Sequence, residues 1–406
     1  MLDKLHDFFA NKRVLILGCG LEGKSTIRLL EKLNCATKID VIEQYHHTTP
    51  LPEDYDVVMK SPGIPLFDNP SESIRNKITC QVDLFLRFAR DSKQNLPTVI
   101  GITGTKGKST TSSLIHHILC KCGKKSKLIG NIGVPPLDIC VEMSELDFVV
   151  AELSCHQLEY STSSPQIAVY LNLFEEHLDH YVSFLHYRRA KENIYAYQKF
   201  GDFLVFGDNT AHGLVPVEGV TVFDERKVIE CENLRGKHNQ RNVGVAVKVA
   251  ELAGIPRQTA ISAVNSFSGL EHRLEMFAKL RDVKWVNDSI GTIPSATIAA
   301  VEAFPETDTL IIGGMNRGID YSTLVEFLNT RHDINVIALP DSGHMLADLF
   351  LVEHPKIQKV ADLSEAVILA KEITKKCCIL SPAAASYGFY KNFEERGQHF
   401  KKLVRN

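Results

Sequence analysis

The sequence predicts an α/β fold built from parallel sheets. Short apolar runs of about five residues alternate along the chain with longer segments of helical period. Runs such as RVLILG at 13–18 and DTLIIGG at 308–314 are apolar throughout, as strands covered by helices on both faces are. Glycine-rich segments directly follow two of the predicted strands. Together these features favour sheets whose strand ends carry ligand-binding loops.

Length and composition indicate a globular protein of several domains. The chain has 406 residues, of which 44% are hydrophobic and 23% charged. Typical domain sizes predict about three domains for this length. The formal net charge of −3 gives no overall attraction to nucleic acid or to a membrane surface.

The cysteines and the apolar pattern predict a cytoplasmic protein. Ten cysteines are scattered along the chain without the paired CxxC units of a zinc site. Such use is typical of reduced thiols. No stretch approaches the roughly 18 apolar residues of a membrane span, and the first segment lacks the features of a cleaved signal.

Two polar segments predict the domain boundaries. DSKQNLP at 91–97 separates a helical pattern from a strand, and NSFSGLEHR at 265–273 does the same further on. We therefore expect three domains, at 1–93, 94–270 and 271–406.

The first block carries a dinucleotide-type fingerprint. In VLILGCGLEGKS, Gly18, Gly20 and Gly23 have GxGxxG spacing between a strand and a helix, and Glu43 ends the next strand. Such glycines allow a tight turn that brings a pyrophosphate to a helix N-terminus. The pattern predicts a Rossmann-like domain, and its ligand is either NAD, as in a dehydrogenase, or another pyrophosphate compound.

The second block opens with a shortened phosphate loop. GITGTKGKSTT at 101–111 lacks the glycine five positions before Gly107 that the usual pattern has. Strand, loop and amphipathic helix nevertheless follow in the expected order. The amine of Lys108 can reach the β- and γ-phosphates of a nucleotide, and the Ser109 hydroxyl can bind Mg²⁺.

Carboxylates and a lysine further along this block are less distinctive. Glu152 ends an apolar strand, where a carboxylate can hold Mg²⁺. The segment YLNLFEEHLDHY at 170–181 has, on spacing alone, the composition of a solvated turn. By composition Lys191, in a charged helix, is a solvated surface group.

The third block has two loops that follow predicted strands, in VKWVNDSIGT and CCILSPAAAS. Loops at the carboxyl ends of parallel strands face the same crevice. Small residues in the second loop fit close backbone approach to a ligand, and tight packing at a turn explains them equally well.

Several motifs in one order give the chain a resemblance to the Mur ligase family. They are GITGTKGKST, GNIG at 130–133, AELSCHQLE, LNLFEEHLDHY, RAKENIY, GKHNQRNVGVAV, GLEHRLE, NDSIGT and LSPAAASYGFYKNFEERGQHF. They extend from about residue 14 to 403, and the shortened phosphate loop is the form this family uses. The family resemblance implies a Rossmann-like first domain, a central P-loop ATPase-like parallel sheet and a Rossmann-like third domain.

The resemblance implies an ATP site with two Mg²⁺ ions. Lys108, His177 and Lys191 are the implied catalytic residues, and Lys191 is carbamylated in this family. The implied metal ligands are Ser109, Glu152, His177 and the modified Lys191. The implied ATP-binding residues are Gly104, Thr105, Lys106, Gly107, Lys108, Ser109, Thr110, Asn239, Asn242, Arg273 and Asp288.

For the first block, the resemblance implies a UDP-sugar in place of NAD. The implied UDP-substrate residues are Gly18, Gly20, Leu21, Glu22, Gly23, Glu43, Ser61, Pro62, Gly63, Asn131 and Gly133.

For the incoming amino acid, the matching positions are Thr292, Arg317, Ser386 and Phe393. The sequence departs from the family pattern at two places. Ile290 stands where a lysine is common, and Arg317 replaces another lysine with a planar cation. The missing lysine bears on the choice of amino acid more than on ligation itself.

The resemblance thus implies an ATP-dependent carboxylate–amine ligase of peptidoglycan precursor synthesis. The carboxyl-terminal motif is most similar to that of members that join D-glutamate to UDP-N-acetylmuramoyl-L-alanine through an acyl phosphate. Its partners are then small molecules, without nucleic acid or membrane, and a monomer is expected. A related ligase using another amino acid, such as L-glutamate, and an NAD-dependent oxidoreductase are the alternatives.

Overall fold

The computed structural model describes residues 1–45, 50–66, 70–90, 96–177, 180–207, 217–225, 227–231, 233–351 and 353–406. The chain divides into two compact units. The first comprises Met1–Ile229 and Arg241–Ser266, and the second comprises Glu230–Gln240 and Phe267–Asn406. The predicted boundary at 93/94 lies outside the described residues, and the three-domain division stays a prediction.

The first unit contains two parallel sheets. The smaller has the strand order β2-β1-β3-β4, and the larger has the order β10-β9-β8-β5-β7-β6. Their strands are β1 (Arg13–Leu17), β2 (Lys38–Ile42), β3 (Val57–Lys60), β4 (Ile78–Thr79), β5 (Thr98–Thr103), β6 (Ser126–Gly130), β7 (Phe148–Glu152), β8 (Ile167–Tyr170), β9 (Phe203–Phe206) and β10 (Thr221–Asp224).

The helices of this unit connect and cover the strands. They are α1 (Leu2–Phe9), α2 (Leu21–Leu33), α3 (Glu72–Arg75), α4 (Gln81–Phe88), α5 (Lys108–Lys121), α6 (Cys155–Leu158), α7 (Phe184–Ala196) and α9 (Arg257–Val264), with 3₁₀ turns at Pro136–Ile139 and Met143–Glu145. A further helix, α8 (Lys237–Leu252), begins in the second unit and ends in the first.

The second unit contains one six-stranded sheet of order β11-β12-β16-β13-β14-β15. The strands are β11 (Glu275–Leu280), β12 (Val283–Asn287), β13 (Thr309–Gly314), β14 (Asn335–Asp341), β15 (Ile357–Lys359) and β16 (Cys377–Leu380). The helices are α10 (Pro294–Ala303), α11 (Ser322–Asn329), α12 (Ser342–Leu349), α13 (Leu363–Ile373) and α14 (Phe393–Arg405).

The α/β fold class is confirmed, with one difference in the third sheet. Its first strand, β11, pairs antiparallel with β12, whereas the sequence predicted parallel strands only. The two-residue turn between them, Arg281 and Asp282, has positive φ at both positions, as in a tight hairpin. Arg-Asp lacks the Asn-Gly signature of such turns, and the sequence therefore did not reveal the hairpin.

Apolar side chains of the strands form the cores of the units. In the first unit one buried cluster extends through both sheets and includes Val14, Phe85, Val99 and Leu204. In the second unit, clusters on the two faces of the sheet are built from residues such as Val336 and Ile337. Alternate residues of β14 thus point into opposite layers, as in a sheet covered on both faces.

Within the described residues, no helix is long and apolar enough to cross a membrane. The parallel strands direct their carboxyl ends to one edge of each sheet, where the predicted site residues lie.

Candidate functional site

The shortened phosphate loop connects β5 to α5. Gly107 is the N-terminal cap of α5, with φ of 84°. A Cβ atom at this position would lie 2.8 Å from the Asn242 side chain. The loop backbone therefore approaches the Asn242 side chain closely, and the positive φ favours glycine at this position. One residue of the predicted ATP site is thus brought to the loop.

Asn172, just after β8, fixes the outer side of this loop. Its Oδ1 accepts a hydrogen bond from the backbone N–H of Lys106 at 2.8 Å, and its Nδ2 donates to the Lys106 carbonyl at 2.9 Å. The amine of Lys106 pairs with Glu176 at 2.6 Å. The Asn172 side chain thus binds both the backbone N–H and the backbone carbonyl of Lys106 and fixes this part of the loop.

Two lysine amines meet at one carbonyl of the loop. Nζ of Lys108 donates to the carbonyls of Gly104 and Thr105, both at 3.0 Å. Nζ of Lys191, from α7, donates to the same Gly104 carbonyl at 2.8 Å. Hydrogen bonding to one oxygen places both amines beside the predicted phosphate position.

Burial shifts the protonation of both amines. It lowers the pKa of Lys108, although the charge of Glu152 opposes the shift. Burial lowers the pKa of Lys191 to about 7, and the nearby Lys108 contributes to this. Lys191 is only 1% exposed, so the interpretation of this residue as a solvated surface group is wrong. A neutral amine near neutral pH is the form that reacts with CO₂, and this fits carbamylation.

Glu152 ends β7, the strand next to β5, and is fully buried. Its Oε1 accepts a hydrogen bond from Nδ2 of Asn131 at 2.8 Å, and the Ser112 hydroxyl lies 3.5 Å from its Oε2. Both partners are neutral, so neither of them compensates the negative charge of the carboxylate. Asn131, predicted to contact the UDP substrate, therefore also orients the predicted metal ligand.

His177 follows β8 with φ of 58°. Its ring lies 4.9 Å from that of His156 and 6.0 Å from that of Tyr187, between ring centres. The Tyr187 hydroxyl hydrogen-bonds to that of Thr105 at 2.9 Å, and the Lys191 amine lies 4.8 Å from the Tyr187 ring centre. Tyr187 thus joins the His177 segment, the loop and Lys191.

The donor set fits one of the two implied Mg²⁺ ions directly. In the part of the chain that the structure describes, no three His, Cys, Asp or Glu side chains converge as in an all-protein metal cage. Mg²⁺ instead takes one or two carboxylates, water and substrate phosphates. Glu152 with Ser109 fits that pattern. His177 with an unmodified Lys191 does not, because an ammonium group offers no lone pair.

The glycine-rich turn of the first block is tightly packed. A Cβ atom on Gly23 would lie 2.1 Å from the Gly18 carbonyl oxygen, so α2 touches the turn that precedes it. The hydroxyl of Ser61, just after β3, donates to the same carbonyl at 2.9 Å. Two of the segments predicted to bind UDP are therefore held together.

The other predicted UDP residues are placed as follows. Leu21 and Glu43 are exposed at the ends of the turn and of β2. Pro62 and Gly63 follow Ser61 in an open segment, and Gly20 caps α2. Gly133 lies beside β6, where an added Cβ atom would be 2.3 Å from the Leu128 carbonyl oxygen.

Glu22 differs from these residues because its carboxyl group is enclosed, although the residue as a whole is half-buried. Burial raises the pKa of its carboxyl to about 7, against the effect of a hydrogen bond from Gln157. Nε2 of Gln157 donates to Oε1 of Glu22 at 2.6 Å. Glu22 thus faces the interior of the unit.

In the second unit, Asp288 lies at the end of β12. Its Oδ2 accepts a hydrogen bond from the Ser381 hydroxyl at 2.7 Å, and its Oδ1 accepts one from the Leu274 backbone N–H at 3.1 Å. Burial raises the pKa of Asp288 to about 7, while Arg273 acts in the opposite direction. Arg273 is therefore close enough to influence Asp288, and a shared ATP site for the two residues stays a prediction. Nδ2 of Asn239, in the first turn of α8, donates to the carbonyl of Arg235, which precedes the helix.

Arg396, on α14, ties together the two loops predicted at strand ends. Its guanidinium donates to the hydroxyl of Ser289 at 3.0 Å and to its carbonyl at 2.8 Å. It also donates to the carbonyls of Ala384 at 3.1 Å and Ala385 at 3.3 Å. The loops NDSIGT and SPAAAS are thus brought together by one buried cation.

The predicted amino-acid residues lie around these loops. Ser386 is buried next to Ala385, and the Phe393 carbonyl accepts a hydrogen bond from the Ser289 hydroxyl. Thr292 is half-buried at the end of the first loop, whereas Arg317 is exposed in the connection from β13 to α11.

Sequence reasoning missed four residues that hold the site together: Asn172, Gln157, Tyr187 and Arg396. Gln157 had a readable signal, because Ser154 and Gln157 form a capping box at the start of α6. Asn172 also had one, as an Asn just after a strand. Arg396 and Tyr187 lie in charged helices, and composition does not separate them from surface groups.

The fold and this site define an α/β nucleotide-binding protein with a phosphate loop, buried loop lysines and a strand-end carboxylate. Comparison with known families is more specific. Residues 102–223 match the Mur ligase middle domain.

Relatives that match over nearly the whole chain are ligases of the same family. The chain is 31% identical to the UDP-N-acetylmuramoylalanine–D-glutamate ligase of Pelodictyon phaeoclathratiforme, with 97% of this chain and 98% of the relative covered. It is 32% identical to the protein of that name from Chlorobium chlorochromatii, with 98% and 99% covered. The chain therefore belongs to the Mur ligase family, whose members are ATP-dependent ligases.

Solved structures agree on the fold. MurF from Acinetobacter baumannii superposes with a TM-score of 0.65 at 14% identity, covering 99% of this chain and 92% of that one. The MurC of Thermotoga maritima, a UDP-N-acetylmuramate–alanine ligase, gives 0.59 at 18% identity, with 97% and 99% covered.

Proposed function

We propose that this ATP-dependent ligase joins the amine of D-glutamate to the carboxylate of UDP-N-acetylmuramoyl-L-alanine, with release of ADP and phosphate. The full-length relatives carry the name of this activity. In the described site, the feature that best supports it is the pair of amines, Lys108 and Lys191, on the Gly104 carbonyl. A simple nucleotide switch needs only the first of them.

The first chemical step makes the carboxylate reactive. A carboxylate oxygen attacks the γ-phosphorus of ATP, the bond to the β–γ bridging oxygen breaks, and ADP leaves. Catalysis of phosphoryl transfer is mainly positioning and charge neutralisation. Lys108 serves this by placing its cation beside the phosphates, and the backbone N–H groups at the N-terminus of α5 bind the phosphate oxygens.

The second step forms the amide. The glutamate nitrogen attacks the acyl carbon, phosphate leaves from the tetrahedral intermediate, and the nitrogen loses a proton. The described residues around Lys108 are arranged to hold anions, and exclusion of water protects the acyl phosphate from hydrolysis.

Bound Mg²⁺ would neutralise phosphate charge and orient the oxygens in this reaction. Ser109 and Glu152 would hold the first ion. His177 and Lys191 would hold a second one only after carbamylation of Lys191, so we route no step through it.

The remaining assignments belong to the same proposal. The turn at Gly18 to Gly23, Glu43, the segment 61–63, Asn131 and Gly133 bind the UDP substrate. Asn239, Asn242, Arg273 and Asp288 bind ATP. Thr292, Arg317, Ser386 and Phe393 bind glutamate, in a monomeric enzyme of the cytoplasm.

The test is phosphate release from ATP with the UDP substrate and Mg²⁺, measured across a panel of D- and L-amino acids. We expect turnover and an amide product with D-glutamate alone, and loss of turnover in Lys108→Met. The panel is needed because Ile290 removes a common lysine cation from the NDSIGT loop.

Other outcomes would replace this proposal. Turnover with L-glutamate or a diamino acid would favour a related ligase. Phosphate release without any amino acid would favour a P-loop ATPase, and NADH binding without ATP turnover would favour a dehydrogenase.

A further inference from the structure

The short helix α6 is connected to both segments proposed to bind UDP. Glu22, in the glycine-rich turn, accepts a hydrogen bond from Gln157 of α6. Lys60, just before Ser61, forms an ion pair with Glu159 at the end of α6, with 3.3 Å between Nζ and Oε2. Each link includes one buried side chain, since Lys60 is 3% exposed and Gln157 is 2% exposed, and one half-buried carboxylate.

The same helix is also connected to the proposed phosphoryl-transfer residues. Only two residues separate its start from the strand that ends in Glu152. On its other side, Nδ2 of Asn193, which lies on α7 two residues after Lys191, donates to the Leu158 carbonyl at 2.9 Å. Thus α6 lies between the UDP segments and the elements that carry Glu152 and Lys191.

Gln157 forms hydrogen bonds both at the start of α6 and with the UDP turn. Its Oε1 accepts hydrogen bonds from the backbone N–H of Ser154 at 3.0 Å and from the Ser154 hydroxyl at 3.1 Å. Its Nε2 donates to Glu22 at 2.6 Å. One amide group therefore caps the helix after Glu152 and binds the UDP turn.

Packing alone does not account for Glu22. Its Oε2 is buried and has no hydrogen-bond partner among the described residues. A buried carboxylate with an unsatisfied oxygen costs stability, and an apolar side chain would avoid that cost. The described hydrogen bond of this carboxyl group is the one with Gln157, and the charge of Lys60 acts on it as well.

We propose that the Glu22–Gln157 pair positions the UDP turn relative to the phosphoryl-transfer site. This inference rests on the proposed function, because it takes the turn as the UDP site. A substrate anchored at its diphosphate presents its carboxylate to ATP at a place set by the distance between the two sites. Misplacement of about 1 Å can lower the rate about 100-fold.

A double-mutant cycle tests the pair. Gln157→Glu places two carboxyl groups against each other but keeps an acceptor for Ser154. Glu22→Gln keeps an acceptor for Gln157. The combination Glu22→Gln with Gln157→Glu restores one donor and one acceptor in the reversed sense. Arg28→Met is the matched control, because Arg28 lies on the same helix α2 and hydrogen-bonds to Asp138.

The readout is single-turnover ADP formation with saturating UDP substrate and ATP, which requires no amino acid. We expect Gln157→Glu to lower this rate about 10- to 100-fold. In the Glu22→Gln background the same Gln157→Glu change should cost less than about threefold in rate, because the pair is then complementary again. Arg28→Met should remain within about threefold of the wild type, because it leaves the pair intact. The affinities for UDP and ATP should be unchanged in Gln157→Glu and in Arg28→Met.

An unchanged rate in Gln157→Glu would overturn the proposal, as would failure of the double variant to recover. A parallel fall of rate, both affinities and melting temperature would also overturn it, because that result indicates a general structural role.

Amide hydrogen exchange with UDP alone separates this inference from the proposed function. In the wild type we expect UDP to slow exchange both in residues 18–23 and in Cys155–Leu158. In Gln157→Glu the slowing should persist in 18–23 and disappear in α6. If the wild type shows this pattern but forms no ADP, the proposed function fails and the positioning role stands. If UDP leaves α6 unaffected in the wild type, the positioning role fails.

Discussion

At the residue scale, the buried amine of Lys191 links the site to the stability of the fold. Its pKa is about 7 in the folded chain, compared with an ordinary value of 10.5. Between these values the unfolded chain binds a proton that the folded chain lacks. Stability therefore rises with pH over this range, and the unfavourable contribution is complete below about pH 7.

We predict that Lys191→Met is more stable than the wild type near neutral pH in CO₂-free buffer. The advantage should shrink as the pH approaches about 10, where the amine is neutral in the unfolded chain as well. Urea unfolding at a series of pH values measures this. Activity should be lost in the same variant, because the proposed carbamate cannot form.

Lys401 provides a control of opposite sign. Burial lowers its pKa, but hydrogen bonds with Glu275 and Glu271 outweigh this and raise it. The folded chain therefore holds this proton more tightly, and Lys401→Met should be less stable than the wild type near neutral pH. A Lys191→Met variant with a pH-independent stability difference would contradict the lowered pKa.

At the element scale, close packing of α2 on its preceding turn makes Gly23 sensitive to substitution. A Cβ atom on Gly23 would overlap the Gly18 carbonyl, whereas a Cβ atom on Gly20 would meet nothing within 4 Å. The two glycine positions of the fingerprint therefore differ in whether they leave space for a side chain.

We predict that Gly23→Ala destabilises the protein by about 1–3 kcal/mol, because α2 must move away from the turn. Gly20→Ala should cost less than about 1 kcal/mol, since only the preference at a helix cap is affected. Urea midpoints of the two variants test this, and equal losses would show that the close approach of α2 is not the cause.

Elements with strong periodicity could be predicted from the sequence, and individual buried polar groups could not. The strands β1, β5, β7 and β13 lie where their apolar runs predicted them. The strand β11 was missed, because Glu275–Leu280 alternates poorly and its turn lacks glycine. Burial of Lys191 depends on where α7 packs, and that information is distributed over the whole fold.

The residues of the site likewise divide into those that could be predicted from the sequence and those that could not. The loop residues around Lys108 were readable because a local glycine pattern determines their backbone. Arg396 joins loops that are about 100 residues apart in sequence, at Ser289 and Ala384. Such a contact has no local signature, and only the resemblance to a family could indicate the residues near it.

At the scale of the whole molecule, UDP and ATP are proposed to bind at different sheets of the first unit, so their effects should be separable. The UDP turn follows β1, and the phosphate loop follows β5. A ligand that binds only the folded state stabilises it by about 2.7 kcal/mol at a concentration of 100 times Kd.

We therefore predict separate increases in melting temperature of a few degrees with UDP and with Mg²⁺-ATP, and none with NADH. Lys108→Met should lose the ATP effect, because the cation next to the phosphates is gone, and keep the UDP effect. Differential scanning fluorimetry with each ligand is the measurement. Loss of both effects in Lys108→Met would mean that one nucleotide site serves both ligands. Stabilisation by NADH would favour the hypothesis that the fingerprint at Gly18 belongs to a dehydrogenase.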